Sequence, residues 1–406
     1  MPIPPRIAII GGSLVGPAAE LFLRQAGFTD VTTYEASKVP HPQSGGVMGL
    51  RLPTLGLLAG IGIPTNRIVA LNDARTFAYD LTEFNTLAPR GPGSVLPGMV
   101  TSWDALHHQL AARVAIQYGQ RLTELIPESD GPRYLLKFAN GTTDTADVVL
   151  FADGRKSVGR QLLDPARNYS MDYAGYVVWR GLSDVGLLDS VGGPVGNVTG
   201  FWRIFDIPGG RLFSVTGPVA TAEGRNYWEF SHNLPVDKYK QLTGSHPTER
   251  AYLFPQMISD ELHGTILGNA VGFPDWLIDL ITDGEISGIP VNDLAVPTQA
   301  LWRHGDGQSV AALLGDALMP VRLQVGAGLN HGLHQAAEFA LALASNTPNL
   351  ALTRWDHDVI AKLGPVVELG RSRAHRTNLG TYQPVRPGYT AVPLGDQWSD
   401  PQWVTA

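Results

Sequence analysis

The sequence predicts an α/β fold with three parts: a doubly wound parallel-sheet domain assembled from both ends of the chain, an inserted antiparallel β-sheet domain, and a C-terminal helix. Three observations predict it. Near the start, "RIAIIGGSLVGPAAELFLRQAGF" is an apolar strand run that ends in glycines and passes into apolar residues at helical spacing. Near the other end, "SVAALLGDALMPVRLQVGAGLNHGLHQAAE" repeats that plan, with a buried-type strand, Gly-Asp, a loop, Gly-x-Gly and a helix. Between them, from Tyr173 to about Ile289, the aromatic and β-branched runs "AGYVVWRGL", "GFWRIFDIPGGRLFSVTG" and "RNYWEFSHNL" alternate with Gly/Pro turns, the texture of an antiparallel sheet.

In chain order, a strand from about Arg6, the helix "PAAELFLRQAG" closing on Gly27, and the strand "DVTTYEAS" make one βαβ unit, which requires a parallel pair and a right-handed crossover. "SGGVMGLRLPTLGLLAGIGI" reads as a loop leading into a helix. Val69 to Pro97 read as strands that leave the first domain, and "SWDALHHQLAARV" as the helix that returns to it. "YLLKFANGTTDTADVVLFADG" reads as a hairpin on Asn-Gly and then a buried strand ending on Asp-Gly. Helices are expected around "YKQL" and "DWLIDLI", from Asn330 to Ser345, and from Arg354 to Arg376 with a break near Pro365. The expected division is 1–75, 98–172 and 290–350 for the discontinuous domain and 76–97 with 173–289 for the β-rich domain; 351–380 form the C-terminal helix and 381–406 an arm.

With 406 residues and 44% hydrophobic content the chain is expected to bury a sizeable core. A formal charge of −7 and no long Lys/Arg run leave no footprint for nucleic acid or an anionic membrane. Without cysteine there is no disulfide, thiolate metal site or Cys nucleophile, which fits a reducing compartment. The short lead before the first strand and the lack of a long uncharged apolar run make a cytoplasmic protein, a monomer or homodimer, the expectation.

In "GGSLVG" the glycine pattern of a dinucleotide turn is met by Gly11, Gly12 and Gly16, with Ser13 in the second obligatory place. Glycine lets the backbone approach a pyrophosphate, and the helix start offers N–H groups and a positive dipole end. Glu35 ends the second strand, where a carboxylate accepts from ribose hydroxyls. Such turns also arise for packing alone, but strand, helix, second strand and terminal acid are in register here. Further on, Asp153-Gly154 closes a strand before Ser157 and Arg160 open a helix. Gly315-Asp316 closes another before Gly326-x-Gly328-Leu329-Asn330 opens the next. That helix start can supply N–H groups to a carbonyl or anionic ring, while Asp316 can accept from a ribityl hydroxyl.

These three motifs, in this order, resemble those of the class A flavoprotein aromatic hydroxylases, the para-hydroxybenzoate hydroxylase family, over most of Arg6 to Arg376. "DYAGYVVWRGL", "GGS" and "TSWD" look most like the 2,6-dihydroxypyridine 3-hydroxylase branch. The resemblance implies a Rossmann-like FAD-binding domain of that family's type, with NADH or NADPH as reductant and no metal. It also implies hydroxylation of an aromatic or other planar electron-rich small molecule by O2 through a flavin C4a-hydroperoxide. FAD would be held by Gly11, Ser13, Gly16 and Glu35 at the ADP end and by Gly315, Asp316, Gly326, Gly328, Leu329 and Asn330 at the flavin end. Asp153 would serve both FAD and NAD(P)H.

The chain also departs from the family. Trp103 stands where the family has an FAD-contacting Arg, and an aromatic ring cannot make a bidentate phosphate contact. Met319 replaces the usual His, Leu323 the Pro bordering the ring, and Gln335 a helix Asp. Arg203, His331, Leu323 and Met319 are pocket candidates, and no catalytic residue is assigned. Two alternatives stay open: a flavoenzyme of this fold that performs epoxidation, cyclisation or dehydrogenation of a biosynthetic intermediate, and a non-catalytic flavin- or ligand-binding protein.

Overall fold

The computed structural model describes residues 4–40, 46–68, 74–78, 94–95, 99–128, 131–167, 169, 171–183, 202–216, 226–305, 307 and 309–381, with backbone alone at 74–78, 94–95, 202–203, 216, 226 and 283. The expected arm from residue 382 onward, and most of Val69 to Pro97, lie outside them.

The opening apolar run forms β1 (Ile7–Ile10), buried at every residue as a parallel strand covered on both faces must be. It turns through Gly11 and Gly12 into α1 (Val15–Gln25), and β2 (Val31–Tyr34) returns parallel to β1. The stretch expected as a plain loop contains β3 (Val47–Leu50) before α2 (Leu52–Gly60), because a later segment supplies its partner. After β4 (Ala74–Ala78) and β5 (Ser94–Val95), that partner is β6 (Met99–Ser102), antiparallel to β3. Ser102 then caps α3 (Trp103–Ala111) through its hydroxyl, which accepts from the Ala105 N–H.

Next come β7 (Ile116–Gln117), β8 (Leu122–Pro127), β9 (Tyr134–Phe138), β10 (Thr143–Ala146), β11 (Val148–Phe151) and α4 (Val158–Leu163). The expected Asn-Gly hairpin joins β9 to β10, but β8 also pairs with β9, making a three-stranded sheet. The long strand β12 (Asp172–Ser183) leads to β13 (Trp202–Ile207), β14 (Arg211–Thr216), β15 (Asn226–Asn233), α5 (Val236–Thr243), α6 (Asp260–Asn269), α7 (Asp275–Asp283) and β16 (Ser287–Asp293). The chain then returns through β17 (Leu301–His304) and β18 (Ser309–Leu313) to α8 (Gly328–Leu343) and α9 (Pro348–Arg376).

The principal sheet runs β17-β18-β11-β1-β2-β7, parallel except at β17. The second runs β16-β12-β15-β14-β13-β4-β5 and is antiparallel except that β4 lies parallel to β13, so it is mixed at one edge. One face of this sheet buries Val177, Trp179, Phe205, Phe213, Trp228 and Phe230 against Leu262, Ile266, Leu277 and Leu280 of α6 and α7. Strand alternation puts Arg180, Tyr227 and Glu229 on the other face.

The expected break near Pro365 does not occur: α9 runs through it. Leu363, Val366 and Val367 on either side are buried in the main core, so packing outweighs the missing N–H. Among the described residues, no helix is long and apolar enough to cross a membrane.

Two buried histidines give the fold an acid limit. His232 uses both ring nitrogens as a neutral imidazole, Nε2 accepting from Trp179 Nε1 at 2.8 Å and Nδ1 donating to the Asn233 carbonyl at 2.9 Å. Burial holds His232 and His331 down at about 4. Both are neutral when folded but take up a proton in the unfolded chain below about 6.5, the ordinary imidazole value. Their contribution is therefore complete above that pH and lost as pH falls toward 4, at about 1.4 kcal/mol per pH unit for each group. Urea unfolding across this window is expected to show that slope, and His232→Gln, which keeps an acceptor for Trp179, is expected to remove about one proton from it.

Candidate functional site

Because β18, β11 and β1 are neighbours and parallel, Gly315-Asp316, Asp153 and Gly11 all leave the carboxyl ends of adjacent strands. Crevices at such strand ends are where open α/β sheets bind ligands. The β1–α1 turn is as tight as its glycines suggest. Gly11 has φ 117°, and a Cβ on Gly16 would lie 1.9 Å from the Gly11 carbonyl oxygen. Glu35 braces the turn: one carboxylate oxygen accepts from the Gly12 N–H at 2.8 Å, the other from Ser37 at 2.7 Å. No side chain caps α1, and its first turn carries no acid.

Asp153 caps α4, accepting from Ser157 Oγ at 2.6 Å, Val158 N at 2.7 Å and Gly159 N at 3.2 Å. That start aims Arg160, which is buried and donates to the carbonyls of Asp316 at 2.9 Å and Ala317 at 2.6 Å and to that of Arg155. The two acidic motifs are thus joined through one guanidinium. Asp316 itself is half-buried, and among the described residues no hydrogen bond reaches its carboxylate. Burial raises its pKa, opposed by the charges of Arg155 and Arg160.

The start of α8 lies beside Asp316, whose Oδ1 is 3.5 Å from where a Cβ on Gly328 would stand. Ala327 supplies no side-chain cap there, and the first turn carries no acid. Asn330 stitches this start to the rest of the site. Its amide donates to the Gly49 and Gly326 carbonyls, and its oxygen accepts from Arg51 N at 3.0 Å and Thr54 Oγ1 at 2.7 Å. Gln335 accepts from the Gly315 N–H at 2.7 Å. Gly332 lets α8 approach α1, since a Cβ there would stand 2.7 Å from Val15 Cγ2, so the two glycine-led helix starts converge.

Trp103 and Ser13 are not independent departures: Trp103 Nε1 donates to Ser13 Oγ at 3.2 Å. The indole stacks on His107, centroids 4.3 Å apart, and His107 Nε2 lies 3.1 Å from the Gly12 carbonyl oxygen.

The pocket candidates fare unevenly. Met319 is 2% exposed within the main core, into which the turn after Asp316 folds it. His331 is buried with its Nε2 2.8 Å from Gln335 Nε2, and it lines a small space shared with Val359 and Lys362 of α9. Leu323 is 39% exposed, and Leu329 is half-buried. Arg203 pairs with Val215 and Arg75 in β13, but its side chain lies outside the described residues.

On the opposite face of that sheet from its aromatic core, Tyr227 OH donates to Glu229, and Arg180 Nε donates to Ser287 Oγ at 3.2 Å. Arg180 Nη1 reaches 3.2 Å from where a Cβ on Gly46 would stand, just before β3. Burial raises both Tyr227 and Glu229, Tyr227 well above its ordinary value. His107 belongs to none of the sequence motifs. The i, i+4 spacing of Trp103 and His107 on one helix was the available signal.

No protein-family model matches the chain. A relative, 2,6-dihydroxypyridine 3-monooxygenase of Paenarthrobacter nicotinovorans, is 32% identical over 190 residues, covering 46% of this chain and 45% of its own length. The chain therefore matches less than half of that relative. The structure of 2,6-dihydroxypyridine-3-hydroxylase from Arthrobacter nicotinovorans superposes with a TM-score of 0.79 at 21% identity, covering 95% of this chain and 96% of that one. Klebsiella pneumoniae HpxO complexed with FAD and uric acid gives a TM-score of 0.68 at 20% identity, covering 92% and 88%. These matches bear out the resemblance to the aromatic hydroxylases and to the dihydroxypyridine branch, and the fold is that of these proteins.

Proposed function

We propose that this protein is a FAD-dependent monooxygenase that uses NAD(P)H and O2 to hydroxylate an aromatic or other planar electron-rich small molecule. The observation that carries the proposal is the convergence of the Gly11 turn, Asp153 and Asp316 at three adjacent strand ends, beside two glycine-led helix starts without side-chain caps. The residues fit the cofactor: an Asp316 carboxylate without a hydrogen-bond donor suits a ribityl hydroxyl, and uncapped N–H groups suit a pyrophosphate and the polar edge of the ring.

Gly11, Ser13, Gly16 and Glu35 would hold the ADP half, and Asp316 with Gly326, Gly328, Leu329 and Asn330 the flavin half. Bound FAD supplies hydride acceptance from NAD(P)H and activation of O2 for transfer of one oxygen atom. The chain's own residues do the rest. Arg160 and Gln335 hold the Gly315-Asp316 turn, and Asn330 fixes the helix start against β3 and α2. Leu323 and Leu329 offer an apolar wall for the ring, and its exclusion of water favours oxygen transfer over waste. Substrate is assigned to the seam between β3 and the polar face of the mixed sheet, where the Arg180 guanidinium offers N–H donors to a ring oxygen. A cysteine-free composition supports a cytoplasmic setting.

The test is a visible absorption spectrum of protein mixed with FAD and freed of excess, followed by NADH-dependent bleaching in air with a panel of phenols and hydroxypyridines. Retained flavin, with bleaching accelerated by one aromatic compound that gains an oxygen atom, is the expected result. Loss of the flavin would turn the reading to a binding protein without it. Oxidised product lacking the added oxygen would indicate one of the same-fold flavoenzyme reactions instead.

A further inference from the structure

We propose that Trp103 is a positioning residue for the cofactor's pyrophosphate, acting by turning the Ser13 hydroxyl into a donor aimed at the anion. The proposal rests on the assignment of FAD to the β1–α1 turn. A serine hydroxyl has one hydrogen to give and two lone pairs to offer. The indole N–H of Trp103 occupies a lone pair of Ser13 Oγ at 3.2 Å, so the serine hydrogen points away from the indole. Ser13 is half-buried and lies immediately before Leu14, the N-cap of α1, where a pyrophosphate would meet the helix start.

The indole is itself held. It stacks on His107 with an interplanar angle of 12°, and the Gly12 carbonyl can only accept, so His107 Nε2 is the donor in that 3.1 Å contact. Trp103 and His107 are four residues apart on α3, on one face of the helix. Together they grip the two consecutive turn residues Gly12 and Ser13, one at the backbone and one at the side chain. A side chain in the phosphate turn thereby becomes a directed hydrogen-bond donor, and affinity comes from an oriented hydroxyl without a cation at residue 103.

The test is FAD affinity of the apoprotein, titrated by flavin fluorescence, for the native chain, Trp103→Phe, Ser13→Ala, Ser13→Thr and the Trp103→Phe/Ser13→Ala pair. Far-UV circular dichroism and thermal midpoints serve as folding controls. Trp103→Phe keeps the ring on His107 and removes only the donor. It and Ser13→Ala are each expected to weaken binding about tenfold, the scale of one hydrogen bond to a charged group. Ser13→Thr is expected to retain binding, and the paired variant to be no weaker than either single one. Multiplying effects, or unchanged affinity in Trp103→Phe, would overturn the proposal while leaving the FAD assignment standing. Should Trp103→Phe fail to fold, the contrast between Ser13→Ala and Ser13→Thr decides. A native chain that binds no FAD would overturn the assignment and this proposal with it.

Discussion

A Gly16→Ala variant is expected to purify without FAD. The added Cβ would stand 1.9 Å from the Gly11 carbonyl oxygen, a backbone atom with nowhere to go, because a Cβ position on Gly11 is already 2.3 Å from the Ala152 oxygen. Moving Gly11 aside would press β1's turn into β11, and moving α1 would break its packing on α8 through Gly332. The turn must open, and with it goes the approach of backbone N–H groups to a pyrophosphate. Flavin retention after gel filtration is expected to fall below detection, with a lowered thermal midpoint. The control is Gly268→Ala in α6, where the new methyl meets nothing within 4 Å and helix propensity gains about 1 kcal/mol. Flavin retention in Gly16→Ala equal to that of this control would show that the turn does not contact the cofactor.

Asp293→Ala is expected to cost about 3–5 kcal/mol of stability, the range for stripping a buried charge of its partner. Arg322 forks onto Asp293, Nε at 3.0 Å and Nη2 at 2.7 Å, and Arg371 Nε lies 3.6 Å away. The side chains of Arg322, Arg371 and Asp293 are 1%, 9% and 14% exposed, so the carboxylate at the end of β16 lies between two buried guanidiniums, with the Glu368 charge also acting on Arg322. Removing it sets like charges together in a poorly hydrated site. The same cluster joins the loop before Gly326 to α9, and Tyr176 OH reinforces it by donating to Gln324 at 2.8 Å. FAD affinity should therefore fall along with stability. Urea unfolding measures the first and flavin titration the second; a loss under about 1 kcal/mol would mean that water enters and solvates the arginines.

Much of this architecture was readable because its signals are local. Apolar runs ending in glycine identified β1, β11 and β18 and the helices after them, and Asn140-Gly141 identified the hairpin. The strand β3 escaped because its partner, β6, lies far along the chain and the stretch itself is glycine-rich. The expected break at Pro365 failed because a rule about one missing N–H was applied without knowing that the helix is buried on both sides of it. Met319 sits in the motif region by sequence, yet whether a side chain in a turn faces a crevice or the core depends on the path of the turn.

Residue type and spacing were enough to settle where the chain turns tightly, which segments alternate and which acids end strands, since each of these is decided within a few residues by backbone sterics and side-chain periodicity. Sheet order decided the rest. It set Asp153 and Asp316 side by side under Arg160, brought Trp103 onto Ser13, and placed Asp293 between Arg322 and Arg371. Those partners lie far apart in the chain, and hydrogen bonds and ion pairs depend on separation in space, which only the packed elements define.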